Sequence, residues 1–217
     1  MKTLKLGPNG IRILNALTER KKELEKKIEE KVKLIMNMKP EYYKNYVNGG
    51  LFDKLITEVP WVNKDAPRDE CFMSLAPLEY TYGKGFTRTY KSIEMTETVK
   101  ELMDLINKTY NTEYDICFLN YYKSGKEHLG WHADDSPEMD SEHPICVVSC
   151  GAERHIWIKL NGVTGNIPDE DKYLLGDGSL FIMPAGFQKY YLHKIPKSDR
   201  ECGGRISLTF RKYKNPV

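Results

Sequence analysis

Between Asp115 and Tyr213 the chain is cut into eight short β-forming runs: DICFLNYY, LGWHAD, PICVVSCG, RHIWIKL, KYLL, SLFIM, YYLHKI and RISLTFRKY. Turn residues separate them, as at Gly176-Asp177-Gly178, and no helix-period apolar pattern intervenes. Strands this short cannot bury a face singly. Eight of them at near-regular spacing therefore imply a jelly roll or a sandwich.

Upstream, three segments carry helical periodicity. Ile11, Leu14, Leu17, Leu24, Ile28, Val32 and Ile35 recur mostly three and four apart, which predicts an amphipathic helix reaching Met38 and stopped by Pro40. Its charges alternate in sign along TERKKELEKKIEEKVK, the mark of a solvated face, and Lys21 interrupts a heptad seam. After the flexible Asn48-Gly49-Gly50, LFDKLITEV predicts a short second helix. In TETVKELMDLINKTY, Val99, Leu102, Met103, Ile106 and Tyr110 share one apolar face that should lie against a sheet. Tyr80-Thr81-Tyr82-Gly83 and Gly85-Phe86-Thr87 read as strand and turn. The fold class is thus α+β, with the main domain over residues 49–217. Residues 1–48 form a helical arm that packs on it or dimerises.

A chain of 217 residues accommodates one substantial core. It has no uncharged apolar stretch of 18 residues to cross a bilayer, and MKTLKLGPNGIRILNALTERKK lacks the apolar core of a secretory signal, so a cytoplasmic protein is expected. Five cysteines without a CxxC pair read as free thiols. A formal charge of +2 is too small to identify a nucleic-acid partner.

The chemistry-bearing residues lie among the eight runs. His132 and Asp134 are two apart in LGWHADD, and on a strand they project from one face; His193 stands on a distant run. Two histidines and a carboxylate that leave the opposite positions open are diagnostic of non-haem Fe(II) oxygenases. Arg205 and Arg211, six apart in RISLTFR, share a face and suit the two carboxylates of a dicarboxylate. A metal-dependent hydrolase using His128 and His132, and a jelly-roll binding module with a structural metal, stand as other readings of these residues.

Asn120-Tyr121-Tyr122, Gly130-Trp131-His132-Ala133-Asp134-Asp135, Ser149-Cys150-Gly151-Ala152, Gly178-Ser179-Leu180, His193-Lys194-Ile195-Pro196 and the Arg205 to Arg211 run together resemble the AlkB family of Fe(II)/2-oxoglutarate dioxygenases. The resemblance extends from about Leu51 through Pro67-Arg68 and Tyr82-Gly83 to the last run. It implies a double-stranded β-helix core with supporting helices, using Fe(II), 2-oxoglutarate and O2. His132, Asp134 and His193 would ligate the iron. Asn120 and Arg211 would hold the metal-bound end of 2-oxoglutarate, and Tyr122 and Arg205 its distal carboxylate. Ser207 stands where the family has asparagine, and Ser136 where its repair enzymes carry a carboxylate near the substrate amine.

The implied reaction is oxidative demethylation of N-alkylated bases in DNA or RNA by a monomer, releasing formaldehyde, succinate and CO2. The same chemistry could instead hydroxylate another base or a protein side chain. Tyr82, Trp131 and Asp135 are the expected substrate contacts, with Lys194, Lys197, Arg200 and Lys212 reaching the nucleic-acid backbone.

Overall fold

The computed structural model describes residues 7–82 and 88–214, apart from the side chains of Tyr80 and Tyr82. It falls into two compact units divided between Lys39 and Pro40. The first is one helix, α1 (Pro8–Met36), which starts on a proline that fits the first helical turn. No residue of α1 is buried. Lys27 and Glu23, four apart, pair at 2.6 Å on its surface.

The second unit holds two helices and the strands. Helix α2 spans Leu51–Glu58, and α3 spans Glu97–Tyr110 behind Thr96, whose hydroxyl accepts from the Val99 amide. Strands β1 (Glu41–Tyr43), β2 (Asp69–Ser74), β3 (Glu79–Tyr82), β4 (Arg88–Lys91) and β5 (Ile93–Glu94) precede the eight predicted runs. Those runs become β6 (Ile116–Tyr122), β7 (Leu129–His132), β8 (Ile145–Gly151), β9 (Arg154–Leu160), β10 (Lys172–Leu175), β11 (Ser179–Met183), β12 (Tyr191–Ile195) and β13 (Arg205–Arg211). The major sheet runs β1-β11-β8-β13-β6-β2-β5, the minor sheet β10-β9-β12-β7, and β3 pairs with β4 alone. These large antiparallel sheets are those of the expected jelly roll. The turn expected at Gly83 to Thr87 lies outside the described residues.

Alternation along the central strands sorts two environments. Ile206, Leu208 and Phe210 of β13, with Cys117 and Leu119 of β6 and Cys146, Val148 and Cys150 of β8, share a core with Val99, Leu102, Met103 and Ile106 of α3. The helix's predicted apolar face therefore covers the sheet. Arg205, Ser207, Thr209 and Arg211 take the other face of β13, together with Phe118, Asn120 and Tyr122 of β6 and Val147 of β8, and line a cavity. All seven residues of β13 are buried, so its polar residues lie in the interior.

The sheet also reaches upstream of the boundary expected at residue 48. Glu41 pairs with Ile182 and Tyr43 with Leu180, so β1 is an edge strand of the major sheet. Three residues are too few to display a period of two in sequence. Beside this edge Gly178, at φ +66°, takes a left-handed backbone, and a Cβ there would sit 2.3 Å from the Val47 carbonyl.

Candidate metal and cosubstrate centre

Strand pairing brings together the residues expected to ligate a metal. His132 of β7 lies directly opposite His193 of β12, with ring centroids 4.1 Å apart. Asp134 follows β7, and its backbone N–H donates to the Gln188 side chain at 3.0 Å. The His132 Nε2 and His193 Nε2 atoms stand 3.8 and 3.7 Å from the two Asp134 oxygens, and one donor atom from each residue lies within 4.8 Å of the others. The His132 Nδ1 is 2.9 Å from the Gly130 carbonyl; with the proton on Nδ1, Nε2 keeps a lone pair toward Asp134.

The protonation states suit a cation. Burial pushes both imidazoles below their ordinary range, His193 to about 3, so each is a neutral ligand near pH 7. Burial alone would raise the Asp134 carboxyl, but Arg211, ahead of the two imidazoles, holds it below the usual range. The Arg211 Nη2 to Asp134 Oδ1 distance is 2.9 Å. Two neutral imidazoles and an ionised carboxylate converge in one buried place, a donor set that fits Fe(II).

Beyond the triad the cavity is cationic. Arg205 is fully buried; its Nε donates to Ser149 Oγ at 2.9 Å, while Nη1 and Nη2 have no hydrogen-bond partner. Burial pushes its guanidinium down to about 10, and the Tyr122 ring 5.4 Å away partly supports the charge. Buried cations of this kind call for an anion. Ser207 lies opposite Asn120 on the cavity-lining face.

A further chain of buried polar contacts enters from β2 and β4. The Arg68 Nε donates to Asn120 Oδ1 at 2.6 Å, and Arg68 Nη2 pairs with Glu70 at 2.5 Å. The Tyr90 hydroxyl donates to the other Glu70 oxygen. Occupying the Asn120 carbonyl this way leaves its NH2 to donate elsewhere. Glu70 and Tyr90 carry no signal of a role in the local sequence, and Pro67-Arg68 enters only through the family resemblance. Arg154 was missed altogether: its guanidinium donates to the carbonyls of Ser124 and Glu127 in the loop between β6 and β7 and of Pro196 after β12, tying two loops beside Tyr122. A lone arginine at an inward position of RHIWIKL was the available signal.

The expected substrate contacts fare differently. Trp131 is adjacent to His132, so it projects from the opposite face of β7; it packs against Lys159 and Lys194 outside the sheet and does not line the cavity. Its expected place as a wall of the site is therefore corrected. Asp135 is exposed and lines an adjoining depression with Ser136, which shares Asp134 and Arg211 with the cavity. The Tyr82 side chain lies outside the described residues. Among the expected backbone contacts, Lys212 is engaged with Asp115 at 2.8 Å. Residues 128–132 form no helix, which removes the helical zinc pair, and among the described residues only His132, Asp134 and His193 group as metal donors.

A family model described as the 2OG-Fe(II) oxygenase superfamily matches residues 35–211. The chain belongs to that superfamily. Curated relatives include the DNA oxidative demethylase ALKBH2 of Arabidopsis thaliana, 29% identical over 74% of this chain and 60% of that protein. The ALKBH2 of Mus musculus is 31% identical over 67% and 62%. The alpha-ketoglutarate-dependent dioxygenase alkB homolog 3 of Bos taurus is 27% identical over 74% and 60%. The chain thus spans about 60% of the length of these relatives. Among solved structures, that of OsALKBH1 superposes with a TM-score of 0.51 at 16% identity, over 80% of this chain and 97% of that one. With these relatives the chain is an AlkB-type member of the 2OG-Fe(II) oxygenases, for which Fe(II) is the metal cofactor and 2-oxoglutarate and O2 are the cosubstrates. No described helix is long and apolar enough to cross a membrane.

Proposed function

We propose that this AlkB-type oxygenase demethylates N-alkylated bases of DNA or RNA, releasing formaldehyde while 2-oxoglutarate becomes succinate and CO2. One observation carries the reading: in one cavity, a two-histidine, one-carboxylate donor set faces a buried arginine, Arg205, that lacks an anion. A dicarboxylate cosubstrate beside a divalent metal satisfies both.

In this reading His132, His193 and Asp134 would hold the iron. Iron supplies, when bound, activation of dioxygen coupled to oxidation of the cosubstrate. The chain's residues orient and shield that chemistry. Arg211 balances the Asp134 charge and, with the Asn120 NH2, holds the metal-proximal end of 2-oxoglutarate. Arg68 fixes the Asn120 amide so that its donors face the cavity. Arg205, Tyr122 and the Ser207 hydroxyl take the distal carboxylate. Phe118, Leu129, Val147 and Ile156, which line the same cavity, exclude water from it. The substrate base must leave its stack to reach this depth, which favours single strands or an extruded nucleotide.

The nucleic-acid assignment draws on relatives named DNA oxidative demethylases. Mass spectrometry of methylated single-stranded DNA, duplex DNA, RNA and free nucleotides, incubated with Fe(II), O2 and 2-oxoglutarate, tests it, with His132→Ala as the blank. Formaldehyde and the demethylated base are expected together. A second reading, hydroxylation of another base or of a protein side chain, is favoured by Ser136 in the place of a carboxylate. Succinate formation without formaldehyde from any methylated substrate would select it.

A further inference from the structure

The solvent face of the minor sheet carries a row of alternating lysine and tryptophan, one per strand. Lys172 of β10 lies opposite Trp157 of β9, and Trp157 opposite Lys194 of β12. With His193 opposite His132, antiparallel pairing sets Lys194 beside Trp131 of β7. The ammonium of Lys194 sits between the two indoles, 4.3 Å from the centre of Trp157 and 4.8 Å from that of Trp131. Lys172 caps the other side of Trp157 at 5.3 Å, and Lys159 caps Trp131 at 4.8 Å.

This row is short of anions. Lys172 pairs with the largely exposed Asp169 at 2.8 Å, whereas neither Lys159 nor Lys194 has a carboxylate partner among the described residues. Partial burial and the neighbouring Lys159 both disfavour the charged form of Lys194. Cation–π contact at an exposed site is weaker than pairing with an anion, so the face retains its affinity for a polyanion.

We propose that this row is a docking surface for single-stranded nucleic acid flanking the base processed in the cavity, an inference that rests on the function proposed above. Phosphates pair with Lys159, Lys194 and Lys172, and each lysine that swings onto a phosphate uncovers an indole face on which an unpaired base stacks. An acidic peptide would use the charges and leave the flat indoles without a counterpart; duplex bases are already paired and stacked. The location fits the role. The row begins at Trp131, next in sequence to the metal-ligating His132, on the edge strand of the minor sheet. A strand with one base in the cavity has only to pass that edge to reach the outer face.

Fluorescence anisotropy of the full chain with a labelled, unmethylated 15-nucleotide DNA, titrated at several salt concentrations, tests the proposal. The Lys159→Gln/Lys172→Gln/Lys194→Gln variant should bind at least tenfold more weakly near 0.1 M salt. Three lost phosphate contacts should reduce the slope of log K against log salt by about 2, at ~0.7 per contact on single strands. Trp157→Leu should weaken binding and leave the slope unchanged. Thermal unfolding and 2-oxoglutarate affinity on the same samples confirm an intact interior. An unchanged affinity and slope in the triple variant would overturn the proposal, as would displacement of the DNA by an acidic peptide of equal charge at equal concentration. A reduced slope in a protein that demethylates nothing would uphold the docking surface and defeat the demethylase reading alone.

Discussion

Replacing Arg205 with methionine separates its roles in folding and in cosubstrate binding. The substitution removes the 2.9 Å hydrogen bond to Ser149, a bond to a charged group that contributes about 1.5–3 kcal/mol. It also removes a charge whose burial pushes the guanidinium from its ordinary range down to about 10; because that is a cation with a lowered pKa, the folded state disfavours its charged form, by about 3 kcal/mol at ~1.4 kcal/mol per unit. The two effects nearly cancel. At roughly 2–4 °C per kcal/mol for a chain of this size, the ligand-free Tm of Arg205→Met should stay within about 5 °C of the parent. Ligand response should differ sharply. With Mn(II) replacing iron to prevent turnover, 2-oxoglutarate at a hundred times its Kd stabilises the parent by about 2.7 kcal/mol, hence about 5–10 °C. In the variant a lost charge-assisted contact of about 2–3 kcal/mol weakens binding some 30- to 150-fold, and the same concentration should raise Tm by only about 1–3 °C. Calorimetric scans with and without 2-oxoglutarate make the comparison. A ligand-free Tm lowered by 10 °C together with a full ligand shift would refute the reasoning, since Arg205 would then be a structural ion and not an anion receptor.

Arg68→Met should destabilise the fold by about 3–5 kcal/mol in urea titrations, because it strands the buried Glu70 carboxylate; adding Glu70→Gln should recover most of the loss, and both variants should bind 2-oxoglutarate about tenfold more weakly by calorimetry as Asn120 loses its anchor. Burial pushes the thiols of Cys71 and Cys150 up to about 12 and Cys146 to about 11, and raises Cys117 as well, so even at pH 9 they remain protonated; iodoacetamide followed by mass spectrometry of the native protein should find one adduct, on the half-buried Cys202. Removal of residues 1–39 should leave the Tm of the second unit unchanged, whereas removal of residues 1–48 takes away β1, bares the edge of β11 and should lower Tm and promote aggregation in light scattering.

Some of this protein is legible in local sequence because the information is itself local. Alternation along RISLTFR separates Ile206, Leu208 and Phe210 from Arg205, Ser207, Thr209 and Arg211, and strand geometry then fixes their opposite faces whatever the partners. The 3.6-residue period of α3 marks the face that covers the sheet, and the two-residue spacing of His132 and Asp134 brings them to one place. That same alternation already implied that Trp131 points the other way, a consequence the expected base wall overlooked. The remainder depended on which strands become neighbours. Arg68 meets Asn120 across 52 residues because β2 pairs with β6, Arg154 ties two loops that converge only in space, and β1 joins a sheet whose other members lie far downstream. The lysine and tryptophan row exists only through the lateral register of four strands, since no two of its neighbours across the sheet belong to the same strand. The sequence by itself determined the eight downstream strands, the buried face of α3 and the shared place of His132 and Asp134, because those follow from backbone periodicity. Tertiary structure alone decided which charges are paired, which are left without an anion and which side of the sheet each aromatic ring serves, because pairing energies depend on distances that only strand register sets.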